Sequence, residues 1–103
     1  MRYFPLEKFI NLYDGYRRTF RIDEHQLLLL QEDGQQYLIE AQCPHRGHPL
    51  EFAIYQQGCL RCPLHGYQFD LRSGQVQLAT EGPCRQLRSY ELISRDTDLG
   101  VMI

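Results

Sequence analysis

The chain has 103 residues, a length for one domain that can bury its own hydrophobic core without help from disulfides. Charged residues make up 23% and the formal net charge is −2, which excludes the strongly basic footprint of a general nucleic-acid binder. Ten of the eleven basic residues are Arg, with Lys8 the exception, so docking to an acidic protein patch stays open.

Taken in chain order, residues 1–18 have no uninterrupted apolar core of signal-peptide type, because Glu7, Lys8 and Asp14 break it up. Residues 6–13 predict a short turn of helix. Residues 16–22 and 26–31 read as strands around a turn at Asp23-Glu24-His25. The four leucines at 27–30 are too few for a membrane span, and bracketing turns favour a strand over a buried helix segment. Asp33-Gly34 supplies the positive φ of a hairpin turn leading into residues 36–41. A second helical turn is predicted within 48–54, interrupted by Pro49. Short strands follow near 58–61, 67–70, 75–78 and 87–94, and residues 99–103 close the sheet. The pattern predicts one all-β domain over 1–103, an antiparallel sandwich or barrel, soluble and cytoplasmic. In that compartment its four cysteines are expected to be metal ligands or small hydrophobes.

Two segments stand out, Cys43-Pro44-His45-Arg46-Gly47-His48 and Cys62-Pro63-Leu64-His65-Gly66. Each offers a thiol and an imidazole within a few residues, a proline that stiffens the loop and a glycine that lets it turn. Two similar loops, each giving one sulfur and one nitrogen, suit a binuclear centre better than a single ion. In such a centre one iron can take both cysteines while the other takes both histidines.

The double motif, Cys-x-His and Cys-x-x-His separated by residues 46–61, resembles that of the Rieske proteins. The resemblance covers most of the chain. It implies a Rieske-like antiparallel β-sandwich with a small cluster-binding subdomain, with cluster loops at about 43–48 and 62–67. Residues 82–87 look like the proline-containing loop that shields the cluster in this family. The implied cofactor is one [2Fe–2S] cluster held by Cys43, His45, Cys62 and His65. The implied role is a one-electron carrier without catalytic residues of its own, acting as a monomer between a flavoprotein reductase and a terminal oxygenase. No nucleic-acid or membrane partner is expected.

Respiratory Rieske subunits carry two further cysteines, at positions that here are His48 and Leu64, so their disulfide cannot form. High-potential members also place Ser and Tyr hydroxyls near the cluster, where this chain has Tyr67 and Phe69. The potential is therefore expected toward the low end of the roughly −150 to +300 mV Rieske range. Electron uptake is also expected to carry a proton at alkaline pH, through the free nitrogen of each histidine.

Two alternatives remain. The chain resembles, second, the small subunit of a larger redox enzyme such as nitrite reductase. Third, Cys2His2 is a common structural zinc set, although zinc fingers pair like ligands. Cys59 with Cys62 forms a C-x-x-C, but strand context favours Cys59 as a small core residue; Cys84 reads as an inert buried thiol. His48 reads as a solvated loop residue, His25 as a turn residue, and Arg17, Arg18 and Arg21 as a solvated face.

Overall fold

A computed structural model describes residues 1–103. It contains eleven strands: β1 (Tyr3–Lys8), β2 (Arg17–Ile22), β3 (His25–Glu32), β4 (Gln35–Glu40), β5 (Ile54–Gln56), β6 (Cys59–Arg61), β7 (Gln68–Asp70), β8 (Val76–Leu78), β9 (Ser89–Tyr90), β10 (Leu92–Arg95) and β11 (Asp98–Met102). They form three antiparallel sheets, β1-β11-β10, β2-β3-β4-β9 and β5-β6-β7-β8.

The run of four leucines explains the layering. Successive strand residues point to opposite faces, so an unbroken apolar run needs cover on both sides. Leu27 and Leu29 join Leu38, Leu99 and Val101 in an outer core between the first and second sheets. Leu28 and Leu30 join Ile39, Leu60, Tyr67 and Phe69 in an inner core between the second and third. All four leucines have zero exposure, worth about 1.5–3 kcal/mol each. The sandwich thus has its central sheet buried on both faces.

Residues 6–13 depart from the expected helical turn. They continue β1 as far as Lys8, and only Phe9–Asn11 makes a single 3₁₀ turn. Pro5 is tolerated because β1 is an edge strand, where its missing N–H costs no ladder bond. The partner of β1 is β11, at the other end of the chain, so no local pattern announces the pairing. The strand expected over 87–94 is broken at Glu91: β9 pairs with β4, whereas β10 crosses to β11. β5 was not expected, because its hairpin turns on Gln57-Gly58, with φ of 49° and 81°, and Gln rarely signals that geometry. The Asp33-Gly34 turn has φ of 52° and 76°, as its sequence predicts. His25 is the first residue of β3 and not part of the preceding turn. Arg17 is no solvated residue: its guanidinium donates to the Glu51 and Ala53 carbonyls and to Glu32, tying β2 to the chain after the first cysteine loop.

A candidate cluster site at the end of the inner core

The two Cys/His loops are built alike. In the first, Cys43 N–H donates to the His48 carbonyl (2.8 Å) and Gly47 N–H to the Cys43 carbonyl (2.7 Å). In the second, Cys62 N–H donates to the Tyr67 carbonyl and Gly66 N–H to the Cys62 carbonyl, both at 2.8 Å. Each loop is thus one turn closed on its own cysteine. Its glycine sits at φ of 75° or 76°, a left-handed conformation costly to other residues. The first loop leaves β4; the second joins β6 to β7.

The loops bring all four sequence-derived candidates to one end of the inner core. Cys43 and Cys62 are buried within it and lie against each other. Burial, with the neighbouring Cys62 adding to it, pushes the Cys43 thiol up to about 11. The His45 and His65 rings meet edge to face with centroids 4.9 Å apart. The Nδ1 atoms of both rings are buried and have no hydrogen-bond partner. Two unpaired ring nitrogens beside two buried sulfurs would be an expensive way to finish a core. A cationic centre accepting two nitrogens and two thiolates satisfies all four, so the residues fit an iron–sulfur group.

Three further residues close the site, Tyr67, Thr80 and Glu81, and the last two carried no functional signal in the sequence. The Tyr67 ring stacks on His45 with centroids 4.2 Å apart and planes at 21°. Its hydroxyl donates to the Gly82 carbonyl and accepts from Glu81 N–H (3.2 Å). It is thereby engaged with the third loop. Thr80 Oγ1 donates to the His65 carbonyl. Glu81 Oε1 lies 3.1 Å from His45 Nε2 and 3.6 Å from Arg46 Nη2. The contacts to the histidines thus come from Thr80 and Glu81, just before the segment 82–87 singled out in the sequence. The far end of that loop is pinned by Glu40, which accepts two bonds from Arg85 (2.7 and 2.6 Å) and one from Arg88 N–H (2.6 Å).

Of the spare residues, Cys84 is half-buried against the inner core, and burial raises its thiol above the ordinary value. Cys59 is half-buried in β6 opposite Asp70. His48 is half-buried and serves the loop through its carbonyl. His25 is exposed, edge-on to Tyr90 at 6.3 Å.

Comparison with known proteins identifies the family and the fold. Residues 3–91 match the model of the Rieske [2Fe-2S] domain, and the chain belongs to that family. The family's cofactor is one [2Fe–2S] cluster. The fold is similar to that of the ferredoxin of carbazole 1,9a-dioxygenase from Nocardioides aromaticivorans IC177, with a TM-score of 0.82 at 20% identity, covering 98% of this chain and 97% of that one. It is also similar to a putative nitrite reductase NADPH small subunit, with a TM-score of 0.79 at 17% identity and full coverage of both chains. In sequence, 66 residues are 33% identical to the ferredoxin component of the alkene monooxygenase system of Xanthobacter autotrophicus, covering 63% of this chain and 54% of that protein. The curated relatives are longer: the chain spans from about a tenth to about half of their length. No helix is long and apolar enough to cross a membrane.

Proposed function

We propose that the chain is a one-electron carrier whose [2Fe–2S] cluster is held by Cys43 and Cys62 on one iron and His45 and His65 on the other. The observation that carries this reading is the pair of buried, unpartnered Nδ1 atoms beside two buried thiols. The bound cluster supplies reversible one-electron chemistry. The protein's own part is to hold the donors, keep water from the sulfurs and present the histidines near the surface. The cysteines are at most 2% exposed, whereas the His45 side chain retains 11%. Phe52 and Leu64 are well exposed, as a transient docking surface requires.

The donor is a flavoprotein reductase and the acceptor a terminal oxygenase, a reading supported by the ferredoxin components to which the chain is similar. The carrier works as a cytoplasmic monomer, where its cysteines stay reduced. Its potential lies toward the low end of the Rieske range, since Phe69 has no hydroxyl and the Tyr67 hydroxyl is engaged with Glu81 and Gly82. Purified protein should be coloured, with two irons and two acid-labile sulfides per chain. EPR of the reduced form should give an average g below that of an all-thiolate cluster. Colourless, zinc-loaded protein would overturn the assignment, and a midpoint near the top of the range would overturn the low-potential reading.

A second reading keeps the cluster and makes the chain the small subunit of a larger redox enzyme. The full mutual coverage with the nitrite reductase small subunit favours it. Stable co-purification with one large enzyme, instead of transient exchange between two partners, selects that reading.

A further inference from the structure

We infer that Glu81 sets the reduction potential of the site through the outer nitrogen of His45. The inference rests on the cluster reading above and concerns a residue outside the four ligands. The His45 ring has one nitrogen buried and unpaired, and the other 3.1 Å from the Glu81 carboxylate. A ring whose Nδ1 serves the iron carries its proton on Nε2, so the contact is a charge-assisted N–H to carboxylate hydrogen bond. The carboxylate draws on that proton and makes the ring a stronger donor at Nδ1. Its negative charge also opposes the arrival of an electron. Both effects favour the oxidised state and lower the potential.

The contact is built rather than incidental. Residues 80–82 are fastened at three points: Thr80 to the His65 carbonyl, Glu81 N–H to the Tyr67 hydroxyl, and that hydroxyl to the Gly82 carbonyl. Tyr67 in turn stacks on His45, so the ring receiving the carboxylate and the backbone presenting it share one support. Arg46, 3.6 Å from the same oxygen, holds the carboxylate in place and offsets part of its charge. Among the ion pairs of the chain, His45 is the only histidine with a carboxylate partner, so the two histidines are inequivalent. Glu81 is 43% exposed, so water screens its effect, and the expected size is at the lower end for a group supporting a metal ligand.

The test is the midpoint potential of cluster-loaded Glu81→Gln at one fixed pH and low salt, beside the wild type. Gln keeps the size and an acceptor oxygen and removes the charge. The expected result is a rise equivalent to about a tenfold change in the ratio of reduced to oxidised protein, about 59 mV for one electron. Glu81→Asp, which keeps the charge but withdraws it by one methylene, is expected to rise by less. A change below about twofold in that ratio for Glu81→Gln, or a fall, overturns the inference. Loss of the cluster from both variants also overturns it, because Glu81 would then hold the loop together and not tune the site. Fully loaded wild-type and Glu81→Gln proteins with the same potential defeat this inference alone; wild-type protein without iron defeats the reading beneath it.

Discussion

Tyr67 does three jobs with one side chain. Its ring is a wall for His45, its hydroxyl a clasp for the third loop, and its carbonyl the acceptor that closes the second cysteine loop. Tyr67→Phe keeps the first and third and removes the second. Leaving the Gly82 carbonyl and Glu81 N–H without this partner should cost about 1–2 kcal/mol. For a domain of this size that lowers Tm by roughly 4–8 °C per kcal/mol. Hydrogen exchange should speed up at Glu81 ahead of the strands. Unchanged exchange there would mean that Thr80, Glu40 and Arg85 hold the loop without the Tyr67 hydroxyl.

At the scale of elements, the positions that join one strand to another are the most exacting. Gly74 closes the turn between β7 and β8, donating to the Asp70 carbonyl and accepting from Leu87 N–H. A Cβ there would lie 2.2 Å from the Leu87 carbonyl oxygen, at φ of +78°. Gly34 has nearly the same φ, +76°, with nothing within 4 Å. Gly34→Ala should therefore cost about 1 kcal/mol from backbone strain alone. Gly74→Ala should cost more than about 2 kcal/mol, because backbone must also move. Equal losses in denaturant titrations would contradict the close approach. Arg17 is a second junction, since one planar fork reaches two carbonyls and a carboxylate. Arg17→Lys keeps the charge but cannot span all three acceptors. A loss of about 1–3 kcal/mol is expected, against little change for the exposed Arg21→Lys.

For the whole molecule, the outer core ties the chain termini to the central sheet, and Glu7 with Tyr16 makes its polar link. Glu7 accepts from Asn11, from Lys8 N–H and from the Tyr16 hydroxyl, which hold its carboxyl below the ordinary 4.5. Burial first, then the bond to Glu7, pushes Tyr16 up to about 12. A depressed carboxyl contributes stability above its unfolded value, and that contribution is lost as pH falls below 4.5 through the folded value. A raised phenol contributes stability below its unfolded value of 10.0, and that is lost as pH climbs toward about 12. Denaturant titrations across pH should therefore show Glu7→Gln less stable than the wild type at neutral pH, with the gap closing in acid. Tyr16→Phe should lack the wild type's decline between pH 10 and 12. A gap that widened on acidification would contradict this assignment.

The sequence alone determined what depends on neighbours along the chain. The Asp33-Gly34 hairpin follows from backbone sterics at two residues, and the paired Cys/His loops announce their donors because each loop folds on its own cysteine. The tertiary structure alone decided what depends on residues remote in sequence. β1 became a strand only because β11 offers it an edge, Arg17 became half-buried only because residues 51–53 return over it, and Glu81 met His45 only because Tyr67 anchors the third loop. Local sterics and ligand chemistry are written in adjacent residues. The partner of an edge strand, a guanidinium or a carboxylate exists only after the sheets have stacked.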